Sequence, residues 1–213
     1  MAQGLGMTPR RPALLIWLMV IACLLPELVL LGADLGLWGS ARWRPLAYAN
    51  GAFWAGLLHG WQANYPGQGL AMFLTHAVLH AGPAHAVGNA LALWITGGAV
   101  RQHLGARGLG LVTLASVLGG GLAFGLLART PAPMVGASGA VFGLAAAWLW
   151  CAAANPPQGR WRRRLAGLAG LAGLNLATWV MLAGQMAWET HLGGVAGGML
   201  AAALLDRRKS PPP

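Results

Sequence analysis

Charged side chains are scarce in this sequence, and acidic ones are scarcer still. Asp, Glu, Lys and Arg make up 8% of the 213 residues, and only 4 of these side chains are acidic, whereas about 25% of a soluble domain is charged. An ordinary soluble domain is therefore excluded. The hydrophobic content of 57% indicates instead an all-α protein that crosses a membrane several times.

Cysteine is nearly absent as well. Cys23 and Cys151 both fall inside apolar runs, where we interpret them as small buried hydrophobic side chains. They form neither a disulfide framework nor a CxxC pair for a metal. The net charge of +10 does not indicate a nucleic-acid partner, because the basic residues form short clusters between apolar runs rather than one solvated face. Such clusters are typical of the cytoplasmic loops of membrane proteins.

Six apolar runs are predicted to be membrane-spanning helices. They cover residues 13–31, 70–100, 109–127, 138–154, 165–183 and 190–205. A signal peptide or lipoprotein leader is an alternative for the first run, but the run continues past Cys23, where a processed lipoprotein would turn polar. The sequence thus predicts one six-helix domain over 13–205, with polar tails at 1–12 and 206–213.

The segment 32–69, between the first two runs, is rich in aromatic residues that favour the membrane–water boundary. These are Trp38, Trp43, Tyr48, Trp54, Trp61 and Tyr65. We expect a long first loop that lies partly in the interface and contains short amphipathic helices.

The basic residues predict the orientation of the helices. With the N-terminus in the cytoplasm, eleven of the 14 Lys and Arg residues lie inside, and only Arg42, Arg44 and Arg129 lie outside. This bias follows the positive-inside rule and puts both termini in the cytoplasm. It also places Ser138 and His191 near the outer ends of their helices, at similar depth.

Ser138 lies in a stretch of small residues at 135–143, VGASGAVFG. A polar residue in a membrane span is costly and is therefore a candidate for function. At a helix start, a serine nucleophile can use the free N–H groups of the first turn to stabilise an oxyanion. The flanking Gly136 and Gly139 allow another backbone to approach closely. The alternative is a structural serine that caps the helix or eases helix packing.

His191 is the second candidate. Gly194 and Gly198 follow it at i+3 and i+7, so the three residues share one helix face. Small residues at this spacing allow tight helix packing, which would hold His191 against the helix of Ser138. There the imidazole could take the proton of the serine. The alternative is a histidine with a packing role only.

The second predicted helix carries four further polar residues: His76, His80, His85 and Asn89. His85 and Asn89 share a face, and we expect both to donate hydrogen bonds to a developing negative charge. His76 and His80 are expected to organise the water-accessible end of this helix. They could instead bind a metal, but no carboxylate or third ligand accompanies the HxxxH pair, so neither a metal nor another cofactor is predicted. No acid is placed to complete a triad, which predicts a Ser-His dyad.

Together these motifs resemble those of the rhomboid intramembrane serine proteases. The resemblance covers about residues 70–206 and includes THAVLHAGPAHAVGN, GGAVRQHLG, GASG and HLGGVAGG. It implies that Ser138 is the nucleophile and His191 its base. It also implies an oxyanion hole formed by Asn89, His85 and the backbone N–H of Ser138. Phe142 stands where bacterial relatives have a tyrosine that packs on the histidine, so the ring is kept and the hydroxyl is missing.

The resemblance also implies a function and a location. It implies an endopeptidase of a bacterial inner membrane, with its active site open to the periplasmic or extracellular side. Expected partners are the lipid bilayer and single-span or polytopic membrane proteins as substrates, with the fifth helix and the loop 184–189 as a lateral gate. The family often has a Trp-Arg pair just before its second helix, whereas Trp43-Arg44 lies much earlier in the loop. The alternative is a non-catalytic rhomboid-like protein that binds transmembrane helices.

Overall fold

The computed structural model describes residues 14–154 and 156–207. The tail predicted at 1–12 and most of the tail predicted at 206–213 lie outside this part of the chain. The described part contains seven α-helices, two short 3-10 helices and one isolated β-bridge, in agreement with the predicted all-α class. The α-helices are α1 (Leu14–Asp34), α2 (Trp43–Gly51), α3 (Gln68–Thr75), α4 (Pro83–Leu127), α5 (Ser138–Ala152), α6 (Arg160–Met181) and α7 (Trp188–Arg207). The 3-10 helices are Ala55–Leu58 and His76–Val78.

The helix α4 combines the second and third predicted helices, and its 45 residues do not form one straight rod. Gly105 has φ 74° and ψ −176°, a conformation that glycine adopts more readily than other residues. A Cβ added at Gly97 would lie 3.7 Å from the side chain of Leu109, although the two residues would be about 18 Å apart on a straight helix. The chain therefore folds back at Gly105, in the stretch 101–108 between the second and third predicted helices, and the segments 83–104 and 106–127 pack together.

The helix predicted over 70–100 is interrupted, and in this respect the prediction is wrong. The helix α3 ends at Thr75, and α4 begins only at Pro83. Proline lacks an N–H and disfavours helical backbone in the residue before it, so it starts a helix well but does not continue one. His76 and His80 consequently lie in the connection between the two helices.

The helix α6 begins at Arg160 rather than at 165, so the arginines predicted in a loop form its first turns. Arginine is a good helix former, which favours this earlier start. The guanidinium carbon of Arg164 lies 3.6 Å from the centre of the Trp150 ring, and a guanidinium nitrogen lies 3.9 Å from Asp206. These contacts tie the first turns of α6 to α5 and to the end of α7.

The centre of the fold is formed by α4, α5 and α7. Leu109, Leu144 and Ala202, one from each helix, are fully buried in one cluster, which Ile16 of α1 joins. The helix α6 is mostly exposed and buries little besides Arg164. Both α1 and α4 are long and apolar enough to cross a membrane, and they carry exposed leucines as a lipid-facing helix would.

The first loop contains the predicted short helices and is anchored by Arg44 of α2. The Arg44 guanidinium donates to Glu27 at 2.9 and 2.8 Å and to Asp34 at 2.6 Å, and both acids belong to α1. The hydrogen bond to Glu27 contributes most to raising the pKa of Arg44 above its ordinary value, and the hydrogen bond to Asp34 raises it further. Arg44 and the hydroxyl of Tyr48 also donate to the backbone carbonyl of His80, at 3.3 and 2.6 Å. The loop therefore joins α1 to the connection that precedes α4.

Candidate active site

Ser138 and His191 lie in hydrogen-bond contact. The Nε2 of His191 is 2.8 Å from the Oγ of Ser138. Ser138 is the first residue of α5, and His191 lies in the first turn of α7. Only 5% of His191 is exposed. At this distance a neutral imidazole can accept the proton of the serine hydroxyl.

Glycines allow α7 to approach α5 this closely. A Cβ added at Gly194 would lie 2.0 Å from the carbonyl oxygen of Gly139, and one added at Gly198 would lie 2.2 Å from that of Gly143. Both distances are far below van der Waals contact, so only hydrogen atoms fit between the two backbones. Because Gly194 and Gly198 share a helix face with His191, the histidine is turned toward α5.

Phe142 fixes the plane of the histidine ring. Its ring lies parallel to the imidazole of His191, with 4.1 Å between the ring centres and 10° between the planes. Phe142 follows Ser138 by about one turn of α5, so the same helix supplies both contacts to the histidine. The stack limits rotation of the imidazole about its own bonds.

The segment that leads into Ser138 is held by backbone hydrogen bonds on two sides. Phe53 and Met134 exchange two bonds of 2.9 Å, and the N–H of Gly136 donates to the carbonyl of His76 at 2.9 Å. Gly136 has φ +120°, which residues with a side chain rarely adopt. Ser138 therefore begins α5 at a fixed position, where the first N–H groups of the helix have no intrahelical acceptor.

Two N–H donors of α4 lie beside this segment. A Cβ added at Gly136 would lie 2.9 Å from the Nε2 of His85 and 3.5 Å from the Nδ2 of Asn89. The N–H of Ala81 donates to the Nδ1 of His85 at 3.3 Å, so the neutral ring carries its proton on Nε2. The Nδ2 of Asn89 is buried and has no hydrogen-bond partner in the described part of the chain. Both donors can therefore serve a group bound next to Gly136.

His76 and His80 are buried, so the expectation that they organise a water-accessible helix end is wrong. His76 is 1% exposed, its Nδ1 donates to a backbone carbonyl at 2.7 Å, and its ring packs edge-on against Phe53. The ring of His80 is fully buried, 5.2 Å from the ring of His85. The cause is the helix break before Pro83, because the connection that it creates folds inward beneath the first loop.

Asn175 of α6 is a further polar neighbour of His191 and is not among the predicted site residues. Its Oδ1 accepts a hydrogen bond from the Nδ1–H of His191 at 2.8 Å. A lone amide in an apolar helix is the signal that could have identified it, since such a group needs a partner inside a membrane. Asn175 and His191 are the polar residues in the lining of a cavity of about 660 Å³ between α6 and α7.

Glu189 lies two residues before His191 on α7, and the other three of the four carboxylates lie elsewhere. Two of them pair with Arg44, and a third is 3.9 Å from Arg164, so none of these three contacts His191. The described residues include no group of three or more His, Cys, Asp and Glu side chains arranged to hold a metal ion. The groups that do converge are a hydroxyl, an imidazole and two N–H donors, a set suited to nucleophilic catalysis.

The family model of the rhomboid domain matches residues 67–208, which is more than half of the sequence. The chain belongs to the rhomboid family. The family resemblance of the motifs is thus confirmed, and the matched stretch includes Ser138 and the polar residues described above, His85, Asn89, Asn175 and His191. Rhomboid protease GluP of Bacillus subtilis (strain 168) is 33% identical to this rhomboid chain over 144 residues. The aligned part is 64% of this chain and 26% of the relative, so the chain spans about a quarter of that protein's length.

The rhomboid match begins at residue 67, and parts of the structure that support the site lie before it. Phe53, which pairs with Met134, belongs to the first loop, as does Arg44 with its hydrogen bond to the connection before α4. The helix α1 also precedes the match and supplies both acids to Arg44. The geometry of the rhomboid site therefore depends on residues on both sides of this boundary.

Proposed function

We propose that this rhomboid chain is an intramembrane serine endopeptidase that hydrolyses peptide bonds in or near transmembrane helices of other membrane proteins. The observation that carries the proposal is the 2.8 Å contact between Ser138 Oγ and His191 Nε2, which joins a half-buried serine to a histidine that is 5% exposed. The similarity to a relative named as a rhomboid protease supports it.

In the proposed reaction, Ser138 Oγ attacks the carbonyl carbon of the scissile bond, while its proton passes to His191 Nε2. The tetrahedral intermediate then collapses, the C–N bond breaks, and His191 gives the proton to the leaving amine. Water attacks the resulting ester with His191 again as base. The second intermediate releases the new carboxyl end and restores the hydroxyl of Ser138.

The negative charge on the carbonyl oxygen would be stabilised by three N–H donors: Asn89 Nδ2, His85 Nε2 and the backbone N–H of Ser138. The unpaired Asn89 Nδ2 and the proton inferred on His85 Nε2 support this role, as both lie beside the Gly136 segment. Donors already oriented in a water-poor site stabilise an oxyanion without reorganisation in the transition state.

We further propose six membrane spans, counting α4 as two, with both termini in the cytoplasm of a bacterium and the site near the outer face of its inner membrane. The reversal at Gly105 supports the count, and the concentration of arginine and lysine in the proposed inner loops supports the orientation. Ser138 and His191 are then at the outer ends of α5 and α7.

Substrates must present an unwound segment, because a helical backbone already uses its own hydrogen bonds. We propose membrane-spanning helices weakened near their outer end, with a small residue before the scissile bond because glycines and alanines crowd Ser138. The exposed surface of α6 supports its proposed role, with the loop 184–189, as the gate through which a substrate enters sideways.

Replacement of Ser138 by alanine tests the proposal. The purified protein in liposomes is assayed with a single-span test substrate and labelled with a fluorophosphonate. We expect Ser138→Ala to lose both cleavage and labelling at an unchanged unfolding temperature, whereas Ser40→Ala, at an exposed serine of the first loop, keeps both. Cleavage by Ser138→Ala at the wild-type rate would contradict the assignment. A wild-type chain that neither cleaves nor is labelled would favour the non-catalytic rhomboid-like alternative.

A further inference from the structure

The two nitrogens of His191 are both engaged, and by different helices. Nε2 lies 2.8 Å from the Oγ of Ser138 on α5, and Nδ1 lies 2.8 Å from the Oδ1 of Asn175 on α6. The stacked ring of Phe142 covers one face of the imidazole. The ring is thus constrained at both nitrogens and on one face.

The partner of Nδ1 determines where the proton of a neutral imidazole resides. An amide oxygen only accepts, so Nδ1 carries the hydrogen and Nε2 is left with its lone pair toward Ser138. This is the tautomer in which histidine can remove the proton of a serine. We propose that Asn175 is a positioning residue that holds His191 in this tautomer, so that a residue of α6 completes the proposed dyad. The inference depends on the proposed protease function.

The amide oxygen of Asn175 has few other hydrogen-bond donors in its surroundings. Asn175 is half-buried on a helix whose neighbouring positions are apolar, and the cavity beside it is otherwise lined by phenylalanine, leucine, alanine, valine, tryptophan and methionine side chains and by His191. An unpaired amide in such surroundings is costly. The hydrogen bond with His191 therefore orients both side chains.

The hydrogen bond should strengthen during the reaction. When Nε2 takes the serine proton, His191 becomes a cation, and hydrogen bonds to charged groups are stronger than those between neutral groups. Asn175 would then stabilise the transition state more than the resting enzyme, which affects kcat rather than KM.

Two titratable groups near His191 need to be considered before a pH experiment is interpreted. His85 on α4 is the titratable group whose field acts on it, and Glu189 lies two residues earlier on α7 itself. From α5 and α6 the uncharged side chains of Ser138, Phe142 and Asn175 face the ring. A carboxylate introduced at position 175 would therefore be a new charge in contact with His191.

Two variants and one control test the inference. Asn175→Leu removes the acceptor at similar size, and we expect about a tenfold fall in kcat with KM little changed. Asn175→Asp keeps an acceptor, so it should retain activity at high pH. Its carboxylate favours the protonated imidazole, so the acidic limb of its pH–rate profile should move to higher pH by about one unit or more. Thr178→Val is the matched control, because the hydroxyl of Thr178 has two partners in the described part of the chain, both of them backbone carbonyls of α6, and it should behave as wild type.

The outcomes separate this inference from the proposed function. If the wild type cleaves and Ser138→Ala does not, but both Asn175 variants keep the wild-type kcat and pH profile, Asn175 has no positioning role. A fall in kcat for Asn175→Leu without a shifted limb for Asn175→Asp would also overturn the inference, since it would indicate a structural role alone. Should Asn175→Leu fail to fold, the Asn175→Asp profile still decides. If the proposed protease function is wrong, the wild type itself does not cleave the substrate.

Discussion

Gly194 of α7 lies with its backbone directly against the carbonyl oxygen of Gly139 in α5, the residue that follows the proposed nucleophile. A Cβ at position 194 would be 2.0 Å from that oxygen. His191 sits one turn before Gly194, so the contact sets the distance between the imidazole and Ser138. The packing of α7 against α5 therefore determines the geometry of the site.

The first prediction concerns this contact. Gly194→Ala should force α7 away from α5, since a backbone carbonyl cannot move aside as a flexible side chain can. We expect a destabilisation of about 1–3 kcal/mol or more and a loss of cleavage. The measurement is thermal unfolding in detergent, alongside the cleavage assay. Gly170→Ala on exposed α6, where an added Cβ meets nothing within 4 Å, is the control and should leave both unchanged or slightly raise stability. Equal behaviour of the two variants would argue against the contact.

Asn89→Ala should separate catalysis from stability. The Nδ2 of Asn89 has no partner in the described structure, so its removal leaves no group unpaired and should barely change the unfolding temperature. If it donates to the oxyanion, kcat should fall by about 10²–10³ while KM changes little. Thr96→Val, which removes a hydroxyl bonded within α4, should keep the wild-type kcat. A large loss of stability with normal kcat would assign Asn89 a structural role instead.

Arg44→Gln, a substitution in the first loop, should destabilise the protein. Glu27 is 3% exposed and receives two hydrogen bonds from Arg44, so loss of the cation leaves a buried carboxylate without its partner. Breaking a buried pair in this way costs about 3–5 kcal/mol. Chemical or thermal unfolding measures the effect, and the double variant with Glu27→Gln should recover part of it. Arg42→Gln, at an exposed neighbour, should have little effect; a similar loss there would mean that general loop charge matters rather than the pair.

Much of the candidate site could be predicted because its residues follow a regular spacing within single helices. The glycine spacing after His191 predicts a tight helix face, and that face meets the glycines of α5 in the structure. The i and i+4 spacing of His85 and Asn89 holds because both lie within the regular segment 83–104 of α4. Patterns of this kind depend on helix geometry alone and need no knowledge of the neighbours.

Other features depend on tertiary contacts and could not be predicted in this way. Asn175 of α6 contacts His191 of the neighbouring helix α7, and no spacing within α6 marks that contact. The pair Gly82-Pro83 is a local signal for the helix break before Pro83, but the long apolar run around it favours one continuous helix. The burial of His76 follows from that break and from Phe53, a residue of a loop expected to lie partly in the interface.

The backbone pairing of Phe53 with Met134 has a practical consequence for shortening this protein. A chain trimmed to residues 67–208, the segment that matches the family model, would lose that pairing together with the fully buried ring of Phe53. It would also lose α1 and the salt bridges of Arg44. Fusions and truncations that are meant to keep these contacts near Ser138 therefore need to preserve α1 and the first loop.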